Sequence, residues 1–63
     1  MTFYEQKIHR LLLSVMEAHL VDLRDAVLIL QRDLNIDLQA NQALLMELHK
    51  IKETLEQTNN DTF

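Results

Sequence analysis

The 63-residue chain contains no cysteine, no glycine and no proline. Without cysteine there is neither a disulfide nor a thiolate metal site, so two common supports of small domains are excluded. Without glycine and proline the chain lacks the main punctuators of turns and strand ends, which argues against a multi-stranded sheet. Tryptophan is also absent, and aromatic residues make up only 5% of the chain, so a core has to be built from aliphatic side chains. No run of about eighteen apolar residues occurs, so no transmembrane helix is expected. The start of the chain lacks the basic-then-apolar pattern of a signal peptide, and a cytoplasmic protein is expected. Asn60-Asp61-Thr62 matches a glycosylation sequon, which without a secretion signal is read as chance.

What fills the sequence instead is Leu, Ala, Met, Glu, Gln, Lys and Arg, all good helix formers. An all-α fold is expected. A chain of this length buries roughly 60% of its unfolded surface and is marginal alone. Oligomerisation is the support that the composition favours.

Six Lys and Arg face ten Asp and Glu, for a net charge of −4. Nucleic-acid binding draws on clustered cations that displace counterions from phosphate, and here the cations are scattered. Arg10, Arg24 and Lys52 are the best candidates for such contacts. Arg10 and Arg24 would share a heptad face on a continuous helix, but Glu17 sits midway and interrupts a basic stripe.

Thr2 followed by Glu5 fits a capping box, which predicts a helix from Phe3. Leu20, Leu23, Val27, Leu30 and Leu34 step by three and four, as do Leu44, Leu48, Ile51 and Leu55. The first third is apolar over a wider arc, with Tyr4, Ile8, Leu11, Val15 and Ala18 beside Leu13, Met16 and Leu20. With Leu20 as heptad position a, the register crosses residues 31–41 without a shift and places Asp37 at d and Asn41 at a. A single Asn in a seam can fix register, but an adjacent Asp is costly there. Asn35 can end a helix in the left-handed conformation, and Asp37 can cap a second helix from Leu38.

The expectation is therefore an antiparallel helical hairpin in one domain, residues 1–58, that dimerises into a four-helix bundle. Its parts are a helix over 3–34, a turn over 35–37, a helix over 38–57 and a polar tail over 59–63. The oligomer core is expected at Leu23, Val27, Leu30, Leu34, Leu44, Leu48, Ile51 and Leu55. Two alternatives are one long coiled-coil helix and three short helices, the second of which would start at an Asp22 cap with Asp25 at its N3 position.

Catalytic chemistry finds little to stand on. His9 and His19 lie on different faces of a helix, and no His-x-x-x-His or Glu-x-x-His pair appears. Glu17, Asp22, Asp25, Asp33 and Asp37 form an acidic run, but Arg24 and Arg32 interleave it and read as a solvated face. Leu45-Met46-Glu47-Leu48-His49 shares only Glu and Leu with the Ser-Gln-Glu-Leu-Asp motif of the sporulation-type aspartyl-phosphate phosphatases, so that activity is not implied. Residues 23–34 are similar in general helical character to small type III secretion co-chaperones. No catalytic, cofactor-binding or metal-binding residue is assigned. The expected function is a non-enzymatic protein–protein interaction module, a regulator, adaptor or co-chaperone, with a protein partner or a second copy of itself. Its contact residues are expected to be Ile8, Leu12, Val15, Met16 and Leu20, the part of the first helix that a hairpin leaves uncovered. A helical nucleic-acid-binding regulator is the alternative.

Overall fold

A computed structural model describes the backbone of residues 1–61 and the side chains of residues 1–58. The described chain holds three α-helices and no strand: α1 Phe3–His19, α2 Leu23–Asn35 and α3 Gln42–Asp61. Helix α1 starts where the sequence predicts. The Thr2 hydroxyl oxygen accepts from the Glu5 amide at 3.2 Å, and its proton is donated to the Glu5 carboxylate at 3.2 Å.

The expected single helix over 3–34 is broken at residues 20–22, where a stop and a start stand back to back. Leu20 takes the left-handed conformation, φ 53° and ψ 47°, and is the only described residue with positive φ. The amides of Leu20 and Val21 both donate to the Met16 carbonyl, the latter at 3.2 Å, which satisfies an otherwise orphaned helix end. Asp22 then caps α2, its carboxylate accepting from the Asp25 amide at 3.0 Å. Helical periodicity runs straight through this point because the connection is too short to disturb it.

The second break is also placed differently from expectation. Asn35 is not left-handed; α2 ends in a tightened turn in which the Ile36 amide donates to the Asp33 carbonyl at 3.3 Å, with Ile36 still right-handed. Asp37 does accept an amide three residues on, from Ala40 at 3.3 Å. The Asn41 amide closes one helical turn onto the Asp37 carbonyl at 3.1 Å before α3 begins at Gln42 rather than Leu38. The α3 backbone continues to Asp61, past the expected end at 57. The remainder of the expected polar tail, Thr62 and Phe63, lies outside the described residues, as do the side chains from Asn59 onward.

All three helices pack on one another. Ile8 and Leu12 of α1, Ala26, Val27, Leu30 and Leu34 of α2, and Leu44 and Leu48 of α3 are buried. No polar side chain among the described residues is buried. A continuous helix would reach ~80 Å at 1.5 Å per residue, whereas the longest dimension is 38 Å. The long coiled coil is thus replaced by a three-helix bundle, and the two-helix hairpin by an α2–α3 pair with α1 folded back on it.

Candidate interaction surface

The fold redistributes the residues expected to meet a partner. Ile8 and Leu12 are core residues, fully or almost fully buried. Val15 and Met16 are half-buried against that core. Leu20 alone stands free, at 91% exposed. The physical reason is the break at Leu20: it turns α1 back so that its inner stripe covers the α2–α3 seam. That seam was expected to be closed by a second protomer. Val27, Leu30, Leu34, Leu44 and Leu48 are buried within one chain, with Leu23, Ile51 and Leu55 partly buried around them.

What stays open is a set of adjoining apolar hollows. The largest, about 400 Å³, lies between α1 and α3, with Leu23, Ile51 and Leu55 as its apolar floor and Glu5, His9, Glu47 and Lys50 around it. A second, about 270 Å³, is lined by His9, Leu12, Leu13, Met16 and Leu23. It shares His9 and Leu23 with the first. A third, about 190 Å³, lies between α2 and α3 against Val27, Leu28 and Leu55, with Arg24, Lys52 and Glu56 beside them. It shares Leu55 with the first. On α1 the lining positions 5, 9, 12, 13 and 16 fall on one stripe of the helix. Leu13 and Leu28, 58% and 57% exposed, are the apolar residues at the two open ends.

Charge is uneven along this surface. Lys50 pairs with Glu47 at 3.2 Å, and elsewhere His49 meets Glu53 at 3.0 Å and Arg32 meets Asp33 at 3.8 Å. Among the described residues Lys7, Arg10, Arg24 and Lys52 form no ion pair. Arg24 and Lys52 line the same hollow. Lys7 and Arg10 line another, of about 250 Å³, with Phe3 and Gln6, where the Lys7 ammonium sits 6.0 Å from the Phe3 ring. Arg10 and Arg24, expected on one heptad face, stand on separate helices. Among the described residues no group of three His, Asp or Glu side chains is placed to hold a metal ion, and no helix is long and apolar enough to cross a membrane.

Leu13 and Leu28 are the candidate contact residues that heptad reasoning did not single out, whereas Leu23, expected in an oligomer core, lines two of the hollows. A signal existed for Leu13 and Leu28. Each is a large apolar residue off the stripe that fills the core, and such a residue either widens the core or remains on the surface. Comparison with protein families, with curated proteins and with solved structures finds no match to this chain.

Proposed function

We propose that this chain is a small non-enzymatic protein–protein interaction module, of the regulator, adaptor or co-chaperone kind, working in the cytoplasm. The observation that carries this reading is the run of adjoining apolar hollows joined through His9, Leu23 and Leu55. Grooves between helices with apolar floors and polar rims are the setting in which an amphipathic segment of another protein docks. The small size of the domain points the same way, since burying these side chains adds apolar area that a 63-residue chain cannot bury by itself. The partner is a protein, and a second copy of the chain and a larger protein are the two occupants this reading admits. In a three-helix chain the expected dimer would join these outer hollows rather than the α2–α3 seam.

Photocrosslinking residues placed at Leu13 and Leu28 test the reading in living source cells. Discrete protein adducts are expected at both positions and not at Asp33 or Gln57, which are exposed but lie outside the hollows. Adducts no more frequent at Leu13 and Leu28 than at those controls would end the proposal.

A second reading, single-stranded nucleic-acid binding, has one observation in its favour. The hollow of Phe3, Gln6, Lys7 and Arg10 joins an exposed ring to two cations with no carboxylate in its lining, and Phe3 and Tyr4 meet edge to face at 5.4 Å. Rings that stack bases beside cations that meet phosphates are the usual elements of such sites. A low-salt gel shift with a mixed-sequence oligonucleotide, lost in Lys7→Glu/Arg10→Glu, would support it; no shift would remove it.

A further inference from the structure

We propose that the groove between α2 and α3 at Arg24 and Lys52 receives a carboxylate-bearing amphipathic helix of a partner protein, its apolar side chains seated on Leu28 and Leu55. The inference rests on the protein-interaction reading and adds the chemistry of the partner. Three observations carry it.

The first is charge without a counterpart. The chain holds ten carboxylate residues against six cations, yet Arg24 and Lys52 make no ion pair among the described residues. Asp22, close to Arg24 in sequence, is engaged in capping α2. Glu56 lines the same groove as Lys52 but does not pair with it. A Lys four residues before a Glu is the poorer of the two helical orders, so this pair has little to hold it.

The second is partial burial of one of those cations. Lys52 is half-buried and lies between two hollows, with Gln31, Asn35, Leu38 and His49 on its other side. Its side chain is partly enclosed there and makes no ion pair with a carboxylate among the described residues. A carboxylate delivered from outside would supply that partner, beside apolar groups that strengthen the pairing.

The third is the apolar floor set between the two cations. Leu28 projects from α2 at 57% exposed, and Leu55 of α3 lines both this groove and the larger hollow beside it. Within this groove the lining of α3 runs from Lys52 to Glu56, about 6 Å at 1.5 Å per residue, which one turn of a docked helix covers. Apolar anchors one turn apart, followed by an Asp or Glu a turn further on, match such a surface. A nucleic-acid strand is disfavoured because the lining of this groove has no aromatic ring on which a base could stack.

The test uses the full chain and two synthetic helical peptides on an Ala/Gln background. Both carry Leu at i, i+4 and i+7. One has Glu at the flanking positions and the other has Lys. Binding is followed at low salt by fluorescence anisotropy, and the contact is mapped by amide chemical shifts. The Glu peptide is expected to bind about tenfold more tightly than the Lys peptide, the combined effect of two partly exposed charge pairs. Arg24→Glu/Lys52→Glu should invert the preference, and Arg24→Gln/Lys52→Gln should erase it, with helical content unchanged in both. Equal binding of the two peptides, no binding of either, shifts that miss Leu28 and Leu55, or a preference that survives charge reversal would each overturn the proposal. So would light scattering that shows a dimer crosslinked through Leu28, because the occupant would then be a second copy. Failure of the peptides alongside specific crosslinks at Leu13 would remove the acidic-helix partner and leave the interaction reading standing.

Discussion

The side-chain amide of Asn41 donates to the backbone carbonyl of Leu34 at 3.2 Å. This bond spans the connection between α2 and α3 and occupies one of the carbonyls that a helix end leaves without a partner. Heptad counting puts Asn41 at a seam position between helices of an oligomer, where Leu would be more stable. In the bundle its amide is a clasp within one chain. Asn41→Leu should therefore destabilise the fold by about 1 kcal/mol, the value of one such hydrogen bond. In urea unfolding the midpoint should fall with the slope unchanged. A rise in the midpoint would mean that Asn41 sits in an oligomer seam after all.

Leu20 is placed at the opposite extreme, contributing neither a core contact nor an unstrained backbone. An L-residue in the left-handed region pays a steric cost that glycine does not, about 1 kcal/mol. The Leu20 side chain is 91% exposed, so removing it opens no cavity. Leu20→Gly should raise thermal stability by about 4–8 °C, the shift that 1 kcal/mol gives in a domain of this size. An unchanged or lower melting temperature would contradict the left-handed cap.

These two residues show how much was legible in the sequence. The all-helical class, the Thr2 start and the inward stripes of Val27, Leu30, Leu34, Leu44 and Leu48 follow from composition and from spacing by three and four. Topology does not follow from them, because the three-residue connection at 20–22 keeps the periodicity intact and carries no glycine to mark it. Asp22 with Asp25 was the readable half of the signal; a left-handed Leu was the unreadable half. Once α1 folds back, Ile8 and Leu12 exchange an expected partner surface for the core. The open surface passes to Leu13, Leu28 and the half-buried Leu23. Which apolar stripe faces inward is decided by tertiary packing, and helix period alone does not specify it.

Ile8 and Leu13 separate the observed arrangement from the expected one most directly. Ile8 is fully buried and Leu13 is 58% exposed. Ile8→Ala should cost about 2–5 kcal/mol through lost burial and a residual cavity, enough to unfold much of a marginal domain with no partner present. Leu13→Ala should stay within about 0.5 kcal/mol of the parent. Equal effects of the two substitutions on unfolding would mean that α1 does not pack by its Ile8–Leu12 face.

The two aspartate caps should differ in weight. Asp22 accepts the Asp25 amide at 3.0 Å and starts a helix of 13 residues. Asp37 accepts the Ala40 amide at 3.3 Å and closes a single turn ahead of α3. Asp22→Ala should cost about 1 kcal/mol, within the usual range for loss of an N-cap. Asp37→Ala should cost less, since its bond is longer and α3 has its first turn supported by the Asn41 carbonyl, which accepts from the Leu45 amide at 2.9 Å. Denaturant midpoints of the two variants give the comparison, and a larger loss at Asp37 would reverse the assignment of which cap organises the bundle.

Leu28 offers the test in which stability and binding part company. It is exposed on α2 between the core-facing Val27 and the half-buried Ile29, and its side chain lines a groove rather than filling the interior. Surface substitutions of this kind usually move stability by no more than about 0.5 kcal/mol. Truncating an apolar anchor at an interface, by contrast, can cost about 1–2 kcal/mol of binding, which is roughly a 5- to 30-fold loss of affinity. Leu28→Gln should therefore melt with the parent and lose affinity for the Glu-flanked peptide by about that factor. Leu13→Gln, at the far end of the adjoining hollows, should affect that peptide less, because Arg24 and Lys52 fix the carboxylates at the Leu28 end. If Leu28→Gln destabilises the chain strongly, Leu28 belongs to its core and the groove is not open to a partner.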